Sequence, residues 1–321
     1  MFFFSVIFLC KCSLSLCFSN LGAPLSEFSI FFSGLRAGMG SSDDEENTTC
    51  RAADQSGILF RLLSFRSWKA LGVVHQWTKN KVLSLSKELR EFYETNVALS
   101  LAECVTLGMG SQGTIEWKTA RKKLLTSSKA RAQYTYYANR SADWEKRYQE
   151  LYHSSFRGNE HTAEGLECEP LAREVYEDVH QCSIFESAVL VRPEVPWLGA
   201  SLDGTVVNAQ GNFLKNIEIK TFKEGQRLSA SEMLEFNAIS SFDKYGKLKV
   251  NHAHYAQVQL GLFVTGLDEC DYVVYSQLGK DCVVVPVKYD EQHVLELISR
   301  LINVYFEQFL PRMMSDMDQE G

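Results

Sequence analysis

Two acidic residues and a lysine in adjoining segments have the types and spacing that could form a metal-dependent hydrolytic site. Asp203 precedes Gly204 in "WLGASLDGTVV", and "FLKNIEIKT" places Glu218 and Lys220 beyond an Asn-Ala-Gln-Gly-Asn turn. If that turn closes a hairpin, Asp203 comes opposite Glu218, and two carboxylates held together repel each other unless a cation lies between them. Carboxylate oxygens, the carbonyl oxygen of Ile219 and water are ligands that suit Mg²⁺ or Mn²⁺.

Lys220 belongs to the same predicted site because successive strand residues face opposite sides of a sheet. Glu218 and Lys220 therefore share one face, roughly 6 to 7 Å apart along the backbone, while Ile217 and Ile219 face the core. A bound metal ion would polarise a phosphoryl oxygen and activate water, and Lys220 would orient that water or stabilise charge on the phosphate. The alternative is a surface turn with a cross-strand salt bridge, which this spacing alone leaves open.

Three helical segments carry further polar residues of suitable types. "GLECEPLAREVYE" places Glu169 one turn before Arg173 on the same helix face. "HYAQVQLGLF" carries the amides of Gln257 and Gln259, and "LLTSSKA" carries short hydroxyls, including Ser128, that suit a phosphate. Each segment by itself is an ordinary helix feature, so only their combination indicates a function.

The order of these segments resembles that of a known family. From about Glu116 to Met314 the chain resembles the YqaJ-like viral recombinase family of PD-(D/E)xK nucleases, the group that includes phage lambda exonuclease. The resemblance rests on "TSS", the pattern G-x-x-x-E-P-x-A-R from Gly165 to Arg173, "GASLDG", "IEIK" and "YAQVQ" in this order. It implies an α/β fold with a restriction-endonuclease-like core, in which helices flank a central mixed β-sheet. It also implies Mg²⁺-dependent digestion of one strand at double-stranded DNA ends, in recombination or repair.

The resemblance also implies a role for each site residue. The metal ion would be bound by Asp203, Glu218 and the carbonyl of Ile219, with Glu169 in support. Lys220 would be the catalytic lysine, and Gln257 would position the attacking water or that lysine. The DNA phosphate would be held by Ser128, Arg121, Lys123 and Arg173. The expected partners are double-stranded DNA, a single-strand annealing protein and further copies of the chain, without a membrane.

Two positions depart from the family pattern, and two histidines fall outside it. Leu202 stands where the family has a proline before the metal-binding Asp, which removes a fixed φ and should alter the turn more than the chemistry. Leucines at positions 124 and 125, instead of an arginine, precede the Thr-Ser-Ser block, so the identity of the phosphate-holding cation stays open. His252 and His254 are interpreted as structural, because a site for a hard cation does not favour histidine.

Hydrophobic periodicity predicts the elements that must position these residues. The predicted helices cover residues 116–153, 162–181, 251–266 and about 290–314. The predicted strands cover residues 183–192, 197–207, 213–221, 271–278 and 281–289, and the first three are short enough to form one antiparallel meander. This order predicts a mixed sheet that is covered on both faces by helices.

Composition divides the chain into four regions. They are an N-terminal extension, 1–50; a helical region, 51–112; the nuclease domain, 113–316; and a tail, 317–321. The glycine-rich "TLGMGSQGT" marks the boundary near residue 112. The apolar start "MFFFSVIFLC" resembles the core of a secretory signal, but it lacks a basic leader, is interrupted by Lys11 and is too short to span a bilayer. The alternative is an upstream extension of no structural consequence, after which Met39 begins an acidic and polar loop.

Charge and cysteine usage limit the class of protein. The formal net charge of −7 over 321 residues argues against a protein that coats nucleic acid through overall basicity. Residues 117–147 form a basic stretch with nine Lys or Arg against Asp143 and Glu145, which either contacts DNA or is a solvated helix face. Nine cysteines, of which only Cys10 and Cys12 lie close together, predict neither a zinc site nor a disulfide framework. A reducing compartment, the nucleus or an organelle, is therefore favoured.

The residues together favour a magnesium-dependent deoxyribonuclease with exonuclease character. The alternative is a catalytically inactive DNA-binding or scaffold protein, derived from a viral or mobile-element nuclease, that binds DNA through residues 117–147 in a salt-sensitive way without cleaving it. Glycoside hydrolysis by the carboxylate pair fits poorly, because an acid/base pair does not need a lysine two residues from one acid. The direction of digestion does not follow from the residues.

Overall fold

The computed structural model describes residues 55–64, 68–153 and 160–320, of which residues 55–64 are helical. The first helices are α1 Lys69–Leu83, α2 Lys87–Asn96, α3 Leu101–Met109, α4 Ile115–Lys122, α5 Ser127–Tyr136, α6 Trp144–Tyr152 and α7 Glu160–His180. The later ones are α8 Ala230–Glu235, α9 Ala253–Thr265, α10 Glu291–Asn303 and α11 Leu310–Glu320. A 3-10 turn, Lys223–Gln226, follows the last strand of the predicted meander, and a π-helical turn, Val304–Phe309, joins α10 to α11.

The described strands form two sheets. They are β1 Leu125–Thr126, β2 Ser183–Phe185, β3 Leu190–Val191, β4 Leu198–Ala200, β5 Gly204–Val207, β6 Phe213–Thr221, β7 Glu269–Ser276 and β8 Asp281–Lys288. The larger sheet has the order β2-β5-β6-β7-β8, and the smaller has the order β1-β4-β3. In the larger sheet β6 and β7 run parallel, and the other neighbours are antiparallel. The predicted α/β class with a mixed sheet is confirmed.

The chain changes sheet within two segments that the sequence predicts as continuous strands. Residues 183–192 supply β2 to the larger sheet and β3 to the smaller, and residues 197–207 supply β4 to the smaller sheet and β5 to the larger. The predicted antiparallel arrangement is present, since β2 pairs with β5 and β5 with β6, but the first two predicted segments are not continuous strands of that sheet. Side chains from Ser187 to Arg192 are buried at every position, so no alternation of polar and apolar residues marks the change of sheet.

A short strand also divides the helical stretch predicted over residues 116–153. Leu125 and Thr126 pair in parallel with Leu198 and Gly199, which separates α4 from α5 and places the start of α5 beside β4. A buried apolar run of this length fits a strand as well as a helix, so periodicity alone does not distinguish the two. The predicted closing helix is present as α10, the π-helical turn and α11, and it continues through residue 320.

Helices cover both faces of the larger sheet. On one face α7 packs Ala172 and Tyr176 against Ile217 and Ile219 of β6. On the other face, which carries the side chain of Glu218, α9 contacts β6 and β7. The central residues of β6, 216–219, are therefore shielded from water on both faces, and a carboxylate placed there needs a partner.

The larger hydrophobic core combines residues from both predicted regions, 51–112 and 113–316. Leu59 from the first region lies in the same buried cluster as Trp197 from the second. Both regions belong to one unit, Ala52–Gly321, whereas the predicted extension, residues 1–50, lies outside the described residues. None of the helices described here combines the length and the hydropathy that crossing a bilayer requires.

Candidate active site

Asp203 lies where the chain passes from β4 to β5, at the open end of the β5–β6 hairpin. Gly204 pairs with Ile217 in the antiparallel register, which brings Asp203 next to Glu218. The Oδ2 atom of Asp203 accepts a hydrogen bond of 2.7 Å from the backbone N–H of Ile219. This bond holds the Asp203 carboxylate against the segment of β6 that carries the other acid.

Lys220 joins the two carboxylates. Its ammonium contacts the carboxylate of Glu218, lies 3.8 Å from Oδ2 of Asp203 and donates to the carbonyl oxygen of Ile219 at 3.1 Å. Glu218 is only 2% exposed, so its charge depends on these neighbours for compensation. The structure therefore brings the two acids, the lysine and the Ile219 carbonyl into one cluster.

The two glutamines of α9 have different surroundings. Nε2 of Gln257 donates to Oε1 of Glu218 at 2.6 Å, which makes Gln257 part of the cluster. Gln259 is fully buried; its Nε2 donates to the carbonyl of Lys288 at 2.8 Å, and its Oε1 accepts from the N–H of Asp290 at 2.8 Å. Gln259 thus ties the end of β8 to α9 and takes no part in the cluster.

Glu169 and Arg173 extend the cluster from α7. Oε1 of Glu169 accepts a hydrogen bond of 2.5 Å from Nη2 of Arg173, and the other terminal nitrogen of Arg173 contacts the carboxylate of Glu186. Burial, and after it the negative charge of Asp203, raise the pKa of Glu169. Glu169 is thus within electrostatic reach of Asp203, and the guanidinium of Arg173 lies between two carboxylates.

The electrostatics of the cluster are those of crowded acids. Burial, followed by the negative charge of Asp203, raises the pKa of Glu218 to about 8. Burial by itself would lower the pKa of Lys220, but the charges of Glu218 and Asp203 outweigh it and raise that pKa. Lys220 is therefore held as a cation, and the acids around it repel one another.

The chemistry of the donor set fits a hard divalent cation. Asp203, Glu218, Glu169 and the Ile219 carbonyl present oxygen atoms, which Mg²⁺ and Mn²⁺ prefer. Burial and, after it, repulsion by Asp203 raise the pKa of Glu218, and an added positive charge would relieve that repulsion. Within residues 55–64, 68–153 and 160–320, no three His, Cys, Asp or Glu side chains are arranged closely enough to hold a metal ion as they stand, and it is the Lys220 ammonium that contacts both acids.

Arg121 connects the start of α5 to the segment before Asp203. Its Nη1 donates to Oγ of Ser201 at 2.6 Å, its Nη2 donates to Oγ of Ser128 at 3.5 Å, and its guanidinium lies 4.2 Å from the ring centre of Trp117. Sequence reasoning selected Arg121 and Ser128 but missed Ser201 and Trp117. The available signals were the place of Ser201 within "GASLDG" and the spacing of Trp117 one helical turn before Arg121.

The basic stretch, residues 117–147, is only partly a solvated surface. Burial, and after it the charges of Arg121 and Arg147, lower the pKa of Lys129 to about 8, and its ammonium donates to the carbonyl of Leu151 at 2.8 Å. Lys123 lies at the C-cap of α4, where its carbonyl accepts a hydrogen bond from the Tyr305 hydroxyl. Arg121 and Ser128 are therefore the members of the predicted phosphate set that lie together.

The two histidines near α9 have structural surroundings. His252 caps α9, since its Nδ1 accepts a hydrogen bond of 3.2 Å from the N–H of His254. His254 Nδ1 lies 2.6 Å from the hydroxyl of Tyr272, the β7 residue that pairs with Glu218. Burial, and after it the positive charge of Lys220, lower the pKa of His254 to about 3. His254 is therefore neutral in the folded protein above this pH.

A neutral, buried His254 makes stability depend on pH. Its folded pKa, about 3, is below its unfolded value of about 6.5, so its contribution is present above pH 6.5 and is lost as the pH falls toward 3. Between pH 7.5 and pH 5 the wild type should lose unfolding free energy that His254→Gln keeps. We therefore expect the difference in unfolding free energy between the variant and the wild type to shift by about 1–2 kcal/mol in favour of the variant over this range. Urea unfolding of both proteins at the two pH values measures this. An unchanged difference would show that His254 is protonated in the native state.

A family comparison covers the part of the chain that contains the cluster. Residues 116–268 match the family model of the YqaJ-like viral recombinase domain. This region therefore resembles a YqaJ-like viral recombinase domain. Its bounds include Glu169, Asp203, Glu218, Lys220 and Gln257. The match supports a DNA exonuclease, that is, a nucleic-acid-binding hydrolase, and the matched family is one of nucleases that generally need a divalent metal ion.

Solved structures with a similar fold include three exonucleases. The alkaline exonuclease LHK-Exo from Laribacter hongkongensis, in complex with dAMP, is 21% identical, with 65% of this chain and 100% of that chain covered and a TM-score of 0.48. The shutoff and exonuclease protein from Kaposi's sarcoma-associated herpesvirus is 13% identical, with 89% and 94% covered and a TM-score of 0.42. A phage-related exonuclease from Haemophilus somnus 129PT is 14% identical, with 60% and 96% covered and a TM-score of 0.41. No curated protein matches the chain.

Proposed function

We propose that this protein is a magnesium-dependent deoxyribonuclease that digests double-stranded DNA from its ends. The observation that supports the proposal most directly is the contact of the Lys220 ammonium with both Glu218 and Asp203, next to the amide of Gln257. A surface salt bridge does not require a buried acid, a second acid and an amide at one point. Burying such groups costs stability, and their convergence is typical of a functional site. The family of the domain points to the same class of reaction.

The proposed metal ion would be held by the oxygen atoms of the cluster. Its ligands would be Asp203, Glu218 and the carbonyl of Ile219, with Glu169 in support. When bound, Mg²⁺ would polarise the scissile phosphate and lower the pKa of a water molecule, and Mn²⁺ would serve as a substitute. The acids are held near one another by Lys220, Gln257 and the backbone N–H of Ile219, and they would have to draw closer together around the ion.

The remaining residues of the cluster would position DNA and stabilise charge. Lys220 is a permanent cation and would stabilise negative charge that develops on the phosphate, or orient the attacking water. Gln257 would keep Glu218 in one orientation through its hydrogen bond of 2.6 Å. Arg121 and Ser128 would bind a neighbouring DNA phosphate, because a guanidinium and a hydroxyl are 3.5 Å apart there. Lys123 and Arg173 are assigned to the same task by family resemblance only.

The proposal has a direct test with matched substrates. Linear blunt duplex DNA and covalently closed circular DNA of the same sequence would be incubated with the protein in Mg²⁺, in Mn²⁺ and in EDTA. We expect the linear DNA to be shortened in either metal ion, the circle to stay intact, and EDTA to stop the reaction completely. Salt-sensitive binding without hydrolysis would contradict the proposal and support the inactive scaffold instead. Cleavage of the circle would contradict the need for an end.

Two partners belong to the proposal by resemblance. A single-strand annealing protein would take up the strand that digestion exposes, and further copies of this chain would assemble into an oligomer. Analytical ultracentrifugation of the protein alone, and then of its mixture with an annealing protein, tests both. A monomer that sediments independently would remove these partners without affecting the chemistry of the cluster.

A further inference from the structure

A short hairpin before α9 presents a basic and aromatic tip to solvent. Residues 242–248 form it, because Phe242 and Leu248 are joined in an antiparallel bridge. The tip sequence is Lys-Tyr-Gly-Lys, and its Tyr245 is 74% exposed. The ammonium of Lys244 lies 4.9 Å from the ring centre of Tyr245. Among the described residues, no aromatic ring packs on that tyrosine.

The tip is held in one conformation. The carboxylate of Asp243 accepts hydrogen bonds of 2.9 and 3.0 Å from the N–H groups of Tyr245 and Lys247. Gly246 completes the turn with a φ of 73°, a conformation that glycine adopts without steric cost. The single acid of the tip is thus used by the backbone of the turn, and the side chains that face solvent there are two lysines and a tyrosine. A rigid aromatic ring loses little entropy on binding a ligand.

The base of the hairpin adjoins the candidate active site. The ring of Phe242 packs edge-on against Tyr272 with 5.5 Å between ring centres, and Tyr272 pairs with Glu218 across β6 and β7. Beside the hairpin lies an open cleft of about 420 Å³, lined among others by Asp243 of the hairpin, by Lys249 directly after it and by Arg131 of α5. Arg131 is one helical turn beyond Ser128, the residue proposed to bind a DNA phosphate.

We propose that the hairpin 242–248 binds a single-stranded segment of DNA beside the active site, with a base stacked on Tyr245 and phosphates on Lys244 and Lys247. The inference rests on the proposed function, because it takes DNA as the substrate. An aromatic ring between lysines suits single strands, since a base can lie on the ring only when it is unstacked from its neighbours. A paired, stacked base inside duplex DNA offers no such face. The hairpin would therefore distinguish a DNA end with an unpaired strand from a blunt end.

Binding without a metal ion tests the hairpin separately from catalysis. The probes are a fluorescein-labelled 20-nucleotide single strand, a duplex with a single-stranded overhang and a blunt duplex, all in EDTA so that no hydrolysis occurs. We expect Tyr245→Ala to weaken binding of the first two probes about tenfold, within the range for loss of one base–aromatic stack. Tyr245→Phe, which keeps the ring, should retain wild-type affinity. Phe236→Ala removes a different exposed aromatic side chain, 61% exposed, and should change nothing.

The lysines have their own measurement. In the double variant Lys244→Ala/Lys247→Ala, the slope of log K against log salt for the single strand should fall by about 1.4, roughly 0.7 for each lost phosphate contact. Removal of Lys87, an exposed lysine of α2, is the matched control and should leave the slope unchanged. The inference is overturned if Tyr245→Ala binds the single strand within twofold of the wild type, or if the blunt duplex loses affinity equally. A protein that hydrolyses no DNA but shows the Tyr245 effect would refute only the proposed function.

Discussion

Replacing Lys220 with methionine is expected to lower the rate of DNA hydrolysis by about a hundredfold to a thousandfold, the usual effect of removing one group that stabilises transition-state charge. Methionine keeps the length and shape of the side chain but removes the ammonium that contacts Glu218 and Asp203. DNA affinity measured in EDTA should stay within a few fold, because Arg121 and Ser128 are unchanged. The measurement is single-turnover digestion of an end-labelled duplex in Mg²⁺.

The same strand supplies a matched control for this substitution. Lys215 of β6 also contacts a buried acid, Asp271, at 2.6 Å, but it lies on the opposite face of the strand, where Asp271 also accepts a hydrogen bond from Tyr176. Lys215→Met should therefore lower the unfolding free energy by about 3 kcal/mol, the usual effect of breaking a buried pair, without lowering the rate per folded molecule. Retention of the wild-type rate within tenfold in Lys220→Met, with the folded fraction measured by urea unfolding, would remove Lys220 from catalysis.

The relation of Asp203, Glu218 and Lys220 could be predicted because it is local. Strand alternation places Glu218 and Lys220 on one face, and one tight turn decides which residue comes opposite Glu218. The structure has the corresponding register, with Gly204 opposite Ile217. The order of elements also predicts helices on both faces of the sheet, but not which helices cover β6. That coverage comes from α7 and α9, and it explains why Glu218 is 2% exposed.

Contacts between distant segments were beyond sequence reasoning. Arg121 and Ser201 are 80 positions apart. They meet because β1, a two-residue strand that lies inside a predicted helix, pairs with β4. Gln257 was selected through family resemblance. Its hydrogen bond to Glu218, across 39 positions, depends on the packing of α9 on the sheet. The change of sheet after Phe185 left no periodic signal, because every residue from Ser187 to Arg192 is buried.

Replacing Gly204 with alanine is expected to disturb both stability and catalysis, because this glycine is closely surrounded. A Cβ atom at this position would lie 2.4 Å from Cγ2 of Ile184 and 2.9 Å from Cδ1 of Ile217. These side chains belong to β2 and β6, the two strands on either side of β5. The strand must shift, and Asp203 would move with it. We expect a loss of about 2 kcal/mol in unfolding free energy and a loss of hydrolysis rate approaching a hundredfold, as displacements of about 1 Å produce.

Two variants separate this clash from the general effect of adding a methyl group. Gly72→Ala lies in α1 with no neighbouring atom within 4 Å of the added Cβ, and it should raise the unfolding free energy by about 0.5–1 kcal/mol at an unchanged rate. The double variant Gly204→Ala/Ile184→Ala removes the side chain that the new Cβ meets first. It should recover much of the lost hydrolysis rate, although Ile184→Ala alone is destabilising, because the effects of substitutions at residues in contact are not additive. A full wild-type rate in Gly204→Ala would mean that the position of Asp203 is set by its bond to the Ile219 N–H, at 2.7 Å, and not by the packing of β5. The glycine after the acid is thus expected to be needed for space, because β5 runs between two isoleucines that leave no room for a side chain.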